Sequence, residues 1–193
     1  DIIDIIAYIR GRGMKPLILT NGIKLDHDRP YIEELKRAGV VGFTFHIDSE
    51  QQRPHWKGKS EEELFELRQH FADVVYDVGG LFASFGMTVY PGNLDFVPNM
   101  VRWANKNIDR VHGLVFITFR NAAVNGDFDY YVDGQPIPPQ TSYVADTDEE
   151  AYVTSGDVYE EIKRNFDHYE TAAYMGGTQT EDKITWLVSA QLG

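Results

Sequence analysis

Apolar positions along the first 120 residues switch repeatedly between two spacings. Ile2, Ile3, Ile5, Ile6 and Ile9 recur at helical intervals, which predicts an amphipathic helix over 2–10. Pro16 to Thr20 is a short apolar run closed by Asn21-Gly22, a turn signal, and reads as a strand. A helix follows over 30–38, with Pro30 in its first turn and Gly39 at its end. Val40 to Asp48 reads as a second strand. Ser60-x-x-Glu63 is a capping box, and Leu64, Leu67, Phe71, Val74 and Val75 give the next helix its buried face. Leu81 to Tyr90 is a third strand. Asp95 is positioned to cap a helix carrying Val97, Met100, Val101 and Ala104, and Val111 to Phe119 is a fourth strand.

The order is therefore α-β-α-β-α-β-α-β, with strand starts near 16, 41, 81 and 111 at the spacing of βαβ units. The strands are near-continuous apolar runs, the pattern expected when both faces of a parallel sheet are covered. This predicts an α/β fold with outer helices, either an open sheet or part of a barrel. Beyond residue 121 the pattern changes. FDYYVDGQPI reads as a hairpin about Asp133-Gly134, IPPQTSYVADTDEEAY as loop, 157–169 as an amphipathic helix, and Lys183 to Leu192 as a final strand.

Charge sharpens the boundary. Residues 121–193 hold 14 acids against 3 bases, whereas residues 1–120 hold 16 against 15, so nearly all of the net charge of −12 lies in the second part. The expected organisation is a core over 1–121 and an acidic extension over 122–193. Such a balance argues against nucleic-acid backbone binding. No run of apolar residues is long enough for a transmembrane helix, and the default compartment is the cytoplasm. The 193 residues contain no cysteine, which excludes disulfides, thiolate metal ligands and a Cys nucleophile from this stretch. The opening DIIDIIAYIRGRG lacks an initiator Met and reads as beginning mid-helix without a cap, so the chain is expected to be a piece of a longer one.

In parallel α/β folds ligands bind at the C-terminal ends of the strands. Those ends are Thr20-Asn21-Gly22, His46-Ile47-Asp48-Ser49, Thr88-Val89-Tyr90-Pro91-Gly92-Asn93 and Thr118-Phe119-Arg120-Asn121. His46 and Asp48 share a strand face with Thr44, which suits a pair lining a pocket. Arg120 is a candidate for holding a carboxylate or phosphate. Arg53, His55 and Lys57 read as a solvated basic loop, His70 as a surface residue, and Tyr130, Tyr131, Tyr169 and Tyr174 as packing for the extension. One His–Asp pair falls short of the three protein ligands a metal site usually has, so no metal ligands are assigned.

MKPLILTNG, a helix, GFTFHIDS, a long capped helix and a strand ending TVYPGN together resemble the core of radical S-adenosylmethionine (SAM) enzymes. The resemblance covers about residues 1–121. It implies an incomplete (β/α) barrel in which 42–49, 82–91 and 111–120 are barrel strands four to six. It implies SAM and a [4Fe–4S] cluster as cofactors of the parent protein, which would generate a 5′-deoxyadenosyl radical acting on an unknown substrate. The family's Cys-x-x-x-Cys-x-x-Cys loop and Gly-Gly-Glu-Pro-like motif are not in these residues. By resemblance Thr20, Asn21, Gly22, His46, Asp48, Ser49, Thr88, Tyr90 and Arg120 would contribute to the SAM and substrate pocket. The first strand would expose a sheet edge, predicting self-association. Two other readings stand beside this one: a non-catalytic half-barrel that binds a partner, and a different α/β-barrel enzyme using His46, Asp48 and Arg120.

Overall fold

A computed structural model of the chain describes residues 1–119, 129–137, 153–175 and 186–188. Four strands, β1 (Leu17–Thr20), β2 (Gly42–His46), β3 (Phe82–Val89) and β4 (Gly113–Thr118), form one parallel sheet in the order β1-β2-β3-β4. Helices α1 (Ile2–Gly11), α2 (Arg29–Ala38), α3 (Phe65–Val78) and α4 (Val97–Lys106) alternate with them. Right-handed crossovers between strands taken in sequential order place every connecting helix on the same face of a sheet. The reversal of strand order that marks a doubly wound open sheet is absent among the described strands.

The two faces of the sheet differ accordingly. Parallel register pairs Phe43 with Ala83 and Phe45 with Phe85 on one face, and Thr44 with Ser84 and His46 with Gly86 on the other. The first face meets the helices. Phe71 of α3 stacks on Phe45 at 4.6 Å, and Trp103 of α4 meets Phe85 edge-on at 5.0 Å. Phe43, Phe45, Phe85, Met87 and Val89 are fully buried there, each phenylalanine contributing about 2–3 kcal/mol of transfer free energy. The second face carries Gly42, Thr44, Ser84 and Gly86 at its centre, with Thr44 and Ser84 hydroxyls 2.6 Å apart. Towards its margins Leu19 of β1 and Phe82 of β3 remain 66% and 40% exposed. The expected outer helices cover one face, and among the described residues the other face is lined by small and polar side chains, of which Thr44 and Ser84 are also buried. The apolar runs arise because β-branched and aromatic residues also populate strand margins. β1 pairs only with β2 among the described strands, leaving its outer edge open.

The element ends follow local chemistry. Asp1 caps α1 by accepting from the Ile3 and Asp4 amides, so the helix is not uncapped as its sequence suggested. Of its five isoleucines only Ile6 is fully buried, and Ile2 and Ile5 face outward. Asp28 caps α2, which ends at Gly39 with φ 109°. Ser60 and Glu63 do make the reciprocal capping-box bonds, but regular α-helix begins only at Phe65. Asp95 does not cap α4. A 3-10 turn over Pro91–Phe96 runs directly into the helix at Val97, and Pro98 lacks the N–H that would need a cap.

Beyond β4, β5 (Tyr130–Val132) and β6 (Gln135–Ile137) form the expected hairpin, with positive φ at both Asp133 and Gly134 as a two-residue primed turn requires. Tyr130 and Tyr131 are exposed among the described residues rather than packed. Helix α5 (Ser155–Asn165) starts earlier than its apolar pattern indicates, because Thr154 and Asp157 form a capping box. It adds Val158 and Ile162 to the same core as the sheet, so the core spans the charge boundary near 121. The Val153 amide donates to the Phe119 carbonyl at 3.0 Å, bringing the chain back to the end of β4. Of the expected final strand, Trp186–Val188 is described, as β8, paired antiparallel with β7 (Ala173–Met175). Arg120, Gly176 and Gly177 lie outside the described residues.

Close approach of β2 and β3 demands glycine at position 42, where a Cβ would stand 2.2 Å from the Phe82 carbonyl oxygen. Gly42→Ala is expected to destabilise the chain by roughly 2–3 kcal/mol. Gly92→Ala, where a Cβ meets nothing within 4 Å, is expected to be near neutral. Urea unfolding of the two variants checks the contrast.

Candidate functional site

The strand alternation that puts Thr44 and His46 on the open face carries Asp48 to the same side. There His46 Nε2 stands 2.9 Å from Asp48 Oδ2 and 3.0 Å from Thr88 Oγ1 of β3. The Asp48 carboxylate also accepts from the Thr88 amide at 3.3 Å and, through Oδ1, from the Gln51 amide at 3.1 Å. Only 2% of the Asp48 side chain is exposed, against 25% for His46. Burial alone would push the Asp48 carboxyl up. The bonds from His46 and from Thr88, with the charge of His46, outweigh burial and hold it below its ordinary value of 3.8. Asp48 is therefore an ionised anchor for the imidazole and for the turn after β2.

A second tier of charged groups lies beneath this one. Arg53 reaches back from the loop after β2 to donate to the Asn21 carbonyl and, at 3.1 Å, to the His46 carbonyl, joining the ends of β1 and β2. Its Nε donates to Gln51 at 2.9 Å. The residue is buried, so its expected place in a solvated basic loop is corrected, while His55 and Lys57 are exposed as expected. Arg68, on α3, is wholly buried. It donates to the Ile47 carbonyl at 2.9 Å, to the Glu61 carbonyl at 2.8 Å and to the Glu61 carboxylate. Burial draws both guanidiniums below the ordinary arginine value. The nearby carboxylates oppose this, Glu61 chiefly for Arg68 and Asp48 chiefly for Arg53. Glu61 also accepts from the Ser49 amide at 2.9 Å and from the Asn93 amide group at 3.3 Å. Asn93 closes the network by donating to the Thr88 carbonyl and accepting from the Tyr90 amide.

Above these tiers opens a cleft of about 300 Å³, lined by His46, Asp48, Glu50, Gln51, Thr88, Tyr90 and Phe119. The rings of Tyr90 and Phe119 stand 4.8 Å apart on one wall. Four of the residues singled out from the sequence, His46, Asp48, Thr88 and Tyr90, thus meet in one place. Thr20, Asn21, Gly22 and Ser49 do not line it, and Arg120 lies outside the described residues. Thr20 and Asn21 accept bonds from the Gly22 and Ile23 amides and shape the turn after β1. Gly22, at φ 79°, passes beneath the Phe71 ring, where a Cβ would lie 2.5 Å from it. Ser49 is held by Glu61. His70 is on the surface as expected, bonded to Asp26 at 2.5 Å. Glu61 and Arg68 were missed by sequence reasoning, and Asn93, read as part of the polar end of the third strand, was not singled out as a site residue. The available signal was Arg68 itself, a charge on the stripe of Leu64, Leu67 and Phe71, where only a paired group is tolerated. Among the described residues no three His, Asp or Glu side chains group to hold a metal ion, and no helix is long and apolar enough to cross a membrane.

Arg68→Met is expected to cost about 3–5 kcal/mol, because it strands the Glu61 carboxylate in the interior. Adding Glu61→Gln, which keeps the bond from the Ser49 amide, is expected to recover a large part of that loss. Chemical denaturation of the single and double variants reads both. Asp48, with its folded-state pKa depressed, contributes stability that is fully present above about pH 4 and lost as pH falls through the folded value. Asp48→Asn is expected to flatten the acid limb of the stability curve below about pH 4.5, measured by urea unfolding. No protein-family model matches this chain, and no curated protein matches it either.

Proposed function

We propose that the chain forms the SAM- and substrate-binding portion of a radical-SAM-type catalytic domain, folded as an incomplete (β/α) barrel. One observation carries the reading. The polar C-terminal ends of β2 and β3 converge on a single cleft beside the open face of a sequentially ordered parallel sheet. That open face, with Gly42, Thr44, Ser84 and Gly86 at its centre, has the small and polar character of a lumen wall. The extension after residue 121 would shape substrate access, and the open β1 edge would mediate self-association of the isolated chain.

The two implied cofactors differ in fit. A [4Fe–4S] cluster does not fit these residues, since the 193 positions include no cysteine. SAM fits the cleft in kind: Thr88, Tyr90, Glu50 and Gln51 offer hydrogen-bonding groups, and Tyr90 with Phe119 offers an aromatic wall. In a complete parent SAM supplies a carbon-centred radical. The role of the residues here is to bind and orient it. His46 is held by Asp48 and Thr88, and Arg53 fixes the loop that carries Gln51.

Calorimetric titration of the purified chain with SAM tests the reading. The expected result is a dissociation constant of roughly 10 µM to 1 mM, weakened about tenfold by Thr88→Val. Absence of binding would overturn it. A second reading, an α/β enzyme of another chemistry using His46 as an acid–base group, is favoured by the buried carboxylate behind the imidazole. It predicts no affinity for SAM.

A further inference from the structure

An imidazole that meets two acceptors through one nitrogen has its proton placed for it. His46 Nε2 stands 2.9 Å from Asp48 Oδ2 and 3.0 Å from Thr88 Oγ1. The ionised Asp48 carboxylate offers lone pairs only, so that contact is a hydrogen bond only when Nε2 donates. The Thr88 hydroxyl bonds to the same carboxylate, which cannot donate. Its hydrogen is committed there, and its own lone pairs are what Nε2 meets. Nε2 therefore keeps its proton whether the ring is neutral or charged, and a proton that arrives or leaves does so at Nδ1. Among the described residues no group bonds to Nδ1, on the far side of the ring, and the atom is not buried. It opens to the cleft that His46 lines. The backbone under the ring is fixed too, because Arg53 donates to the His46 carbonyl at 3.1 Å.

From this we infer that His46 is the proton-transfer group of the cleft, acting through Nδ1 on a ligand that presents an O–H or N–H group, with Asp48 as its positioning residue. In the step, the Nδ1 lone pair takes the ligand's proton, and the bonding pair stays on the ligand's oxygen or nitrogen. The imidazolium so formed keeps its bonds through Nε2 beside the Asp48 carboxylate, and Nδ1–H returns the proton. The inference rests on the acid–base reading of this cleft and names the atom and the ligand group that the reading requires.

Two measurements on the 193-residue chain test it. Long-range 1H–15N NMR of the neutral ring is expected to show the Nε2–H tautomer in at least about tenfold excess, as one hydrogen bond to a charged acceptor sustains. Asp48→Asn, whose amide donates as well as accepts, is expected to lower that ratio about tenfold. Thr88→Val, which leaves Asp48 in place, is expected to keep the excess, and it stays informative if the first variant does not fold. Bromoacetamide reads access, since the chain has no cysteine to consume the reagent. The Nδ1 lone pair displaces bromide, a C–N bond forming as the C–Br bond breaks, and hydrolysis is expected to yield the Nδ1-carboxymethyl isomer from His46. An excess of the Nδ1–H tautomer, or alkylation at Nε2, would overturn the assignment to Nδ1 and leave acid–base chemistry at His46 standing. An unmodified His46 beside a modified, exposed His55 would overturn both. An unchanged ratio in Asp48→Asn, or its loss in Thr88→Val, would overturn the positioning role of Asp48. SAM affinity is read separately, so its absence counts against that ligand and not against His46.

Discussion

Everything at the mouth of this sheet depends on the ion pair between Arg68 and Glu61. Two unit charges inside a protein are costly unless their remaining hydrogen-bonding capacity is filled. Here much of the filling is done by the very backbone that must be positioned, the Ile47 carbonyl, the Glu61 carbonyl and the Ser49 amide, while the buried Arg68 Nε has no hydrogen-bond partner. Asn93 ties the same carboxylate to the end of β3. The pair therefore contributes less to net stability than to a unique arrangement of the chain after β2. Asp48 and Arg53 extend it upward, so two carboxylates and two guanidiniums lie together under the strand ends.

This arrangement explains how a long irregular segment is held against the strand ends. Residues 49–64 carry no long regular element, yet Gln51, Arg53 and Glu61 each reach a strand end. The loop is fixed by charge-assisted bonds rather than by apolar burial. Packing takes over on the other side of the sheet, where Phe45, Phe71, Phe85 and Trp103 form a continuous aromatic contact between strands and helices. The division of labour suits function. The packed face supplies stability, and polar groups gather in the cleft at the strand ends.

Close approach within the fold also explains the glycines near the site. Gly22 is required by the ring of Phe71, and Gly42 by the backbone of β3. Both follow from close approach within the fold, so the Thr20-Asn21-Gly22 turn is connected to the cleft through Arg53 rather than by lining it.

Much of this was legible in the sequence. Alternating periods located all four strands and four helices of the first part, since each buries one stripe or face and the spacing records it. Parity alone placed Thr44, His46 and Asp48 on one side, because a strand offers only two. The caps at Asp1 and Thr154 were legible in principle, as short polar side chains just before apolar periodicity. The fates of Arg53 and Arg68 were not. Whether a charged side chain meets water or a carbonyl depends on which distant backbone lies within reach, and Arg53 finds Asn21 thirty-two positions away. Nor does the one-dimensional pattern say whether one or both faces of a sheet are covered: apolar strands are compatible with either. The sequence by itself determined the elements, their order and the polar character of the strand ends. Tertiary structure alone decided which of those ends share a cleft and which charges are withdrawn from it, because both depend on contacts between residues far apart in the chain.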